Sequence, residues 1–436
     1  VITRTLLEWE HLPYGEGEDA LRPHLADRLA KVAAASPLAG RGGAHVLEHR
    51  RHDLRAGQVV GVVAAEGATL EILPKIDFPE VEGGQATGRI REQLVHMLAV
   101  ALDLDIASGR MAALGLQREN LLEVLIGLFA AKLTEAVRHG MPRRYVGHEE
   151  DLPVLRGRLD VRRQFTALAM SPDRLACRFD ALSADIALNQ IMKAAVTRLA
   201  AVARARSNQR SLRELGHVYT DISPVPVRSL RWDDVILDRT SKRWRGLVNL
   251  ARLLLGDRFQ TTSTGSTPGF SLLFEMNTLF EEYVTEMLRR ALSGTGARVR
   301  AQGGRLYCLR DEADAPRFQT RPDILVERAG QTFVVIDTKW KRLNARIDDP
   351  KQGVSQADVY QMMAYGRLYA CPRLVLLYPH HAKLAAPAPL ASRHRIALPD
   401  CADTLTVASV DVSSHTEALR CLQALTPDLV PQPEMV

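Results

Sequence analysis

The sequence predicts a mixed α/β C-terminal region with one central sheet flanked by helices, preceded by a β-rich N-terminal region and a mostly helical middle. Three observations lead there. Two β-branched, apolar runs, Ile324–Glu327 and Thr332–Trp340, flank Arg328-Ala329-Gly330-Gln331 and read as a hairpin. Ahead of them, Met276, Leu279, Phe280, Tyr283, Val284, Met287 and Leu288 recur at three- and four-residue spacing, the buried stripe of a long helix. From about residue 87 to 256 that spacing dominates, whereas the first 80 residues read as strands and turns.

Taken in order, Ala20–Ala35 has helical periodicity, and Gln58–Val63 and Thr69–Ile76 are strand-like runs around the Glu66-Gly67 turn. Val81–Ala86, with Gly83-Gly84, predicts a loop closing a first region, 1–86. Ile90–Leu104, Leu121–Arg138 and Asn189–Ala205 are the helices of a second region, 87–260, joined by the charged stretch Tyr145–Arg163 and by Pro224–Ser241. Thr261–Gly269 is a cluster of chain breakers and marks a boundary before a third region, 268–436. There the pattern gives a helix over Leu272–Ser293, strands at Arg298–Gln302 and Arg305–Leu309, then the hairpin. A helix over Ser355–Ala370, strands at Arg373–Tyr378, Arg393–Ile396 and Thr404–Val410, and a last helix, Ser414–Leu425, follow.

At 436 residues, 46% hydrophobic and 25% charged, the chain has material for two or three globular domains. Its net charge of +6 is compatible with nucleic acid without requiring it. Five scattered cysteines, never spaced as Cys-x-x-Cys, argue against a disulfide framework and structural zinc and suit a reducing cytoplasm. No basic-then-apolar leader opens the sequence, and the longest apolar stretch, Leu121–Ala131, carries Glu123 and is too short to span a bilayer. A cytoplasmic protein with no membrane contact is therefore expected.

The hairpin carries the chemistry. With a three-residue loop or a bulge, Asp323 and Asp337 share a face of the sheet, and Lys339, two residues on, joins them. A plain two-residue loop would put the carboxylates on opposite faces. Two carboxylates on one face can hold a divalent cation through hard oxygen ligands. Such an ion activates water and stabilises charge on a phosphoryl group, which a nearby ammonium helps to neutralise. The preceding helix adds Glu281-Glu282, and helix geometry does not choose between them. In the following helix Gln361 and Tyr365 are four apart on one face, placed to reach DNA phosphates or to hold the lysine. Lys341, Arg342, Arg346 and Lys351 make the connecting segment basic, as a phosphodiester backbone requires.

Together these features resemble the PD-(D/E)xK nuclease superfamily, and Gln361-Met362-Met363-Ala364-Tyr365 is similar to the Gln-x-x-x-Tyr element of its RecB-like members. Gly61–Ile76, ending in Leu73-Pro74-Lys75-Ile76, resembles the N-terminal hallmark of the McrC family, the nuclease subunit of modified-cytosine restriction systems. So do Leu152–Leu159, Cys177–Asp180 through Leu188-Asn189, Met276–Glu281 and Asp358–Tyr365. The likeness spans about residues 55–380. It implies that Asp323, Asp337 and Lys339 are catalytic, with Glu281 the helix carboxylate because it follows Phe280 directly. It also implies a metal, Mg²⁺ or Mn²⁺, held by Asp323, Asp337 and the Thr338 carbonyl. The implied partners are an McrB-like AAA+ GTPase hexamer and double-stranded DNA carrying modified cytosine. The implied activity is a type IV, modification-dependent restriction endonuclease; a RecB-like repair exonuclease and a non-catalytic NTPase-activating adaptor are its alternatives. The sequence contains no Gly-x-x-x-x-Gly-Lys-Ser/Thr loop, so the motor function would lie with the partner. The N-terminal half would dock on that motor, with Arg156 or Arg158 stimulating it unless they serve only their tight turn.

Overall fold

The N-terminal residues lay down two small sheets around one apolar core. β1 (Ile2–Leu7), β2 (His11–Pro13), α1 (Pro23–Ala34), β3 (Leu47–His49), β4 (Asp53–Ala56), β5 (Val59–Ala65) and β6 (Ala68–Leu73) come first. The β5–β6 hairpin is antiparallel, β1 lies parallel to β6, and β4 sits between β2 and β3. Leu29 and Val32 of α1 close the core against Val63, Leu70 and Ile72. The computed structural model describes residues 2–17, 19–39, 46–76, 84–104, 120–237, 242–256, 269–343, 353–384, 391–397 and 402–429. The chain divides into two units, Val1–Leu122 with Phe259–Val436, and Glu123–Arg258. Of the loop expected at Val81–Ala86, residues 81–83 lie outside the described residues, and α2 (Gly84–Ala101) has begun by Gly84.

The elements α3 (Leu121–Arg138), β7 (Arg144–Leu152), β8 (Arg158–Leu159), α4 (Val161–Phe165), β9 (Leu175–Ser183), α5 (Ala187–Val202), α6 (Arg206–Val218) and α7 (Arg245–Leu255) follow. Helices dominate, but the charged stretch expected to be a connector supplies β7 and β8 of a three-stranded antiparallel sheet, ordered β7-β9-β8. Most β7 residues are exposed or half-buried, so no apolar alternation announced a strand. A cross-strand ion pair is present instead: Glu149 and Arg178 are register partners 3.0 Å apart. Glu123, which interrupts the apolar run of α3, is buried and accepts from Asn208 Nδ2 at 2.8 Å and the Arg204 amide at 2.6 Å.

β10 (Gly269–Glu275) then joins the N-terminal sheet, antiparallel to β5, giving the order β1-β6-β5-β10. Residues 272–275, expected as the first turn of a helix, are thus strand, and α8 is Met276–Ala291. Phe270, Ser271, Leu272, Leu273 and Phe274 are all buried, and such an unbroken buried run fits either periodicity.

The remaining elements are β11 (Arg298–Ala301), β12 (Tyr307–Arg310), β13 (Pro316–Gln319), β14 (Ile324–Arg328), β15 (Gln331–Thr338), α9 (Gln356–Leu368), β16 (Arg373–Pro379), β17 (Ala391–Arg395), β18 (Thr404–Val410) and α10 (His415–Leu425). Six strands form one mixed sheet, ordered β11-β14-β15-β16-β18-β17, with β15, β16 and β18 parallel. β12 does not enter it. It pairs with β13, which the sequence pattern did not announce, in an exposed two-stranded arm. Met362 and Tyr365 of α9, with Tyr369 just past its end, pack on Leu325, Val335, Leu374 and Leu376 and define one covered face of the sheet. Among the described residues no helix is long and apolar enough to cross a membrane, and Cys177, Cys308, Cys371 and Cys421 are free thiols. Cys401 lies outside the described residues.

Candidate active site

The β14–β15 hairpin solves its parity problem with a bulge. Its turn is the two residues Ala329 (φ 52°) and Gly330 (φ 81°), between the partners Arg328 and Gln331. Left alone, that turn would separate the two aspartates. The register instead slips between Val326 and Glu327: Glu327 faces Thr332 but Val326 faces Val334, leaving Phe333 as the extra residue. Beyond the slip Ile324 opposes Ile336, so Asp323 comes across from Asp337. Both lie on the face that carries Leu325, Val335 and α9.

Asp323 is fixed by Thr338, whose amide and hydroxyl both donate to its Oδ2, at 2.7 and 2.9 Å. Asp337 is 1% exposed, and its Oδ2 is 2.6 Å from Lys339 Nζ. Burial and the Asp323 charge push the Asp337 carboxyl up to about 6, against the pull of Lys339. Burial also raises Asp323, opposed by the Thr338 bonds and by Lys339 and Arg321. For the Lys339 ammonium burial is unfavourable, yet Asp337, Asp358 and Asp323 hold its pKa above the ordinary value. Glu281, on α8, faces the same group: burial and Asp323 raise it to about 7, while a bond from Gln302 opposes the rise. Glu281 is thus a carboxylate within reach of the Asp323 charge.

The other expected residues divide. Gln361 Nε2 donates to the Tyr365 hydroxyl at 2.8 Å, and Tyr365 is buried in the core under the sheet. That hydroxyl also takes the Arg321 amide, so the pair braces the segment leading into Asp323 and does not face solvent as a unit. Lys341 is exposed, with its Nζ 4.0 Å from Asp358, and the Arg342 guanidinium reaches the Lys75 carbonyl at 3.5 Å. Arg346 and Lys351 lie outside the described residues. Of the two arginines considered for motor contact, Arg156 stacks on Phe179 at 4.0 Å and Arg158 lies in β8.

Four residues at the site escaped the sequence reading. Asp358, in the first turn of α9, stands 3.9 Å from Lys339 Nζ. Gln302 and Arg321 are bonded to each other, and the Gln302 amide donates to the Asp323 carbonyl at 2.7 Å. Asn277 lies one turn ahead of Glu281 on α8, and its Oδ1 accepts the Trp340 amide at 3.2 Å. That i, i+4 spacing from Glu281 was the available signal. Trp340 is held further by Glu8, which accepts its Nε1–H at 2.8 Å, and by Gln58, which donates to its carbonyl at 3.3 Å. The N-terminal sheet thus anchors the residue that follows Lys339.

Among the described residues no three His, Cys, Asp or Glu side chains are grouped to hold a metal ion. The oxygen donors that meet across the hairpin are the Asp323 and Asp337 carboxylates. They suit a hard cation: burial raises both carboxylates, the Asp323 charge raises Asp337 further, and Asp323 Oδ1 has no hydrogen-bond donor among the described residues.

The fold has counterparts among solved structures. The chain is 21% identical, with a TM-score of 0.65, to a chain of the refined half-complex from the tetradecameric assembly of Thermococcus gammatolerans McrB AAA+ hexamers with bound McrC; the match covers 98% of this chain and 100% of that one. It is 25% identical, with a TM-score of 0.51, to a chain of the cryo-EM structure of the Thermococcus gammatolerans McrBC complex, over 67% of this chain and 88% of that one. No curated protein sequence matches. The family described as McrBC 5-methylcytosine restriction system component matches residues 54–379, and this chain belongs to it as a member of the McrC family.

Proposed function

We propose that this chain is the DNA-cleaving subunit of a modification-dependent restriction complex, hydrolysing phosphodiesters with a divalent cation and working with an McrB-like AAA+ motor. The observation that carries the reading is the meeting of Asp323, Asp337 and Lys339 on one face of a bulged hairpin. Asp323 and Asp337 would hold Mg²⁺ or Mn²⁺ with the Thr338 carbonyl, and the bound ion would supply charge stabilisation at phosphorus and a more acidic water. Thr338 fixes the rotamer of Asp323. Lys339 keeps its proton through Asp337 and Asp358, so its ammonium is available to neutralise charge on the phosphoryl oxygens. Glu281, with a pKa of about 7, sits where it can exchange a proton near the Asp323 side of the site. Trp340, clamped by Glu8, Gln58 and Asn277, keeps the lysine from drifting.

The partnership rests on the related assembly of McrC with McrB hexamers. Residues 1–86 are the proposed docking region, with the Leu155–Leu159 turn as a second contact. The test is cleavage of covalently closed DNA carrying 5-methylcytosine, with the motor and GTP present. Wild type should cut it, and D337A should not while still binding the motor. Closed circles left intact by wild type but degraded after linearisation would point to an end-dependent exonuclease. Equal behaviour of D337A and wild type in every assay would leave only an adaptor.

A further inference from the structure

A second feature adjoins the carboxylates and has no part in the chemistry above. An open groove of about 390 Å³ runs along β11, lined by Arg289, Arg298, Arg300, Arg305 and the Gly303-Gly304 backbone. No acidic residue lines it. β11 is the edge strand of the six-stranded sheet, and its alternation sets Arg298 and Arg300 on one face.

The four arginines are not equivalent. Arg289 is paired with Glu286 at 3.1 Å and Arg300 with Glu327 at 2.8 Å, both acids outside the groove. Arg298 and Arg305 have no acidic partner among the described residues. The nearby β12–β13 arm makes the contrast sharper. Its arginines are satisfied within the arm, Arg310 by Asp314 at 2.9 Å and Arg317 by Asp311 at 2.8 Å. Uncompensated positive charge therefore collects in the groove and not on the arm.

The turn that ends the groove is packed closely against Tyr369. Gln302, Gly304 and Arg305 all have positive φ, at 47°, 82° and 48°. A Cβ on Gly304 would run into the Tyr369 ring. Tyr369 is itself held by Thr320 at 2.8 Å and by the Leu306 amide at 3.3 Å. The first residue of the turn, Gln302, bonds the Asp323 carbonyl and the Glu281 carboxylate, so the groove opens directly beside the candidate active site.

We infer that the β11 groove binds the DNA phosphodiester backbone next to the bond to be cut, with Arg298 and Arg305 as its phosphate contacts. The proposal rests on the nuclease reading only for its orientation toward the cut bond; the anion site stands on its own residues. Arginine suits the task because its planar donors grip phosphate oxygens and never lose their charge. Each phosphate contact adds about one unit to the salt dependence of binding.

The experiment measures binding of the full-length chain to a fluorescein-labelled DNA duplex in EDTA, across a salt series, for wild type, R298A/R305A, R298K/R305K and R310A. In R298A/R305A the slope of log Kd against log salt should fall by roughly two, while R310A, whose arginine is already paired with Asp314 in the arm, keeps the wild-type slope. The lysine pair should restore most of it, which separates lost charge from a disturbed fold. Wild-type affinity and slope in R298A/R305A, or no duplex binding by wild type itself, would overturn the groove. A chain that binds as described yet cuts nothing with the motor and Mg²⁺ would refute the nuclease reading and leave the groove standing.

Discussion

Glu71 in β6 and Asp337 in β15 are buried to the same degree, 1% exposed each, and are treated in opposite ways. Glu71 is surrounded by donors. Arg91 grips both its oxygens at 2.7 Å, the Leu121 amide donates at 2.8 Å, and Thr5 adds a bond at 3.1 Å. Its charge is answered, and no lone pair is left for a ligand. Asp337 has one ammonium at 2.6 Å and faces the negative charges of Asp323 and Asp358. Three aspartates thus compete for Lys339, and burial together with the charges of Asp323 and Asp358 raises the Asp337 carboxyl to about 6. A scaffold that can satisfy a buried carboxylate at Glu71 has left another unsatisfied where a cation would complete it.

The sharpest way to break this comparison is to remove each acid. D337A should reduce DNA cleavage by about a thousandfold or more with the fold retained, as judged by circular dichroism and motor binding. E71A should leave Arg91 half-buried without its partner and cost about 3–5 kcal/mol of stability, measured by urea unfolding. An equal loss of stability in both variants would remove the distinction.

The pH dependence sharpens it further. Asp337 rises from an ordinary 3.8 to about 6, and Glu281 from 4.5 to about 7. Without a divalent cation the folded chain therefore holds these protons more tightly than the unfolded one. Their contribution to stability is complete below about pH 4 and is lost as pH rises through 6 and 7. A melting-temperature series in EDTA should show that fall in wild type and a shallower one in D337N and E281Q. The smallest effect concerns the clamp between the sheets. W340F deletes the donor to Glu8, a buried acid already raised by burial, and should cost about 1–3 kcal/mol. A modest drop in cleavage should accompany it.

Much of the site could be read from the sequence because it is local. The two aspartates and the lysine lie on a single hairpin, and their chemistry demanded the odd register that Phe333 supplies by bulging. The likeness seen over about residues 55–380 is close to the 54–379 that the family matches. What was hidden is non-local. Gln302 reaches the site only through the fold and carries no motif of its own; Asp358 opens the Asp358–Tyr365 stretch and Arg321 lies two residues from Asp323, but neither position tells from sequence alone that its side chain turns into the site. The β7–β9 ladder was hidden because a charge pair, not alternating apolar residues, marks it. The β10 strand was hidden because Phe270–Phe274 is buried throughout and shows no periodicity to choose by. Nothing in the first 80 residues indicated that their sheet would clamp Trp340 beside Lys339.

The most direct test of the unsatisfied pair is thermal unfolding with and without Mn²⁺ for wild type and D337N. A cation that binds only the folded chain stabilises it by mass action. Wild type should therefore melt at progressively higher temperature as Mn²⁺ is added, and D337N should not respond. A rise in D337N equal to that of wild type would contradict the assignment of Asp323 and Asp337 as the cation's seat.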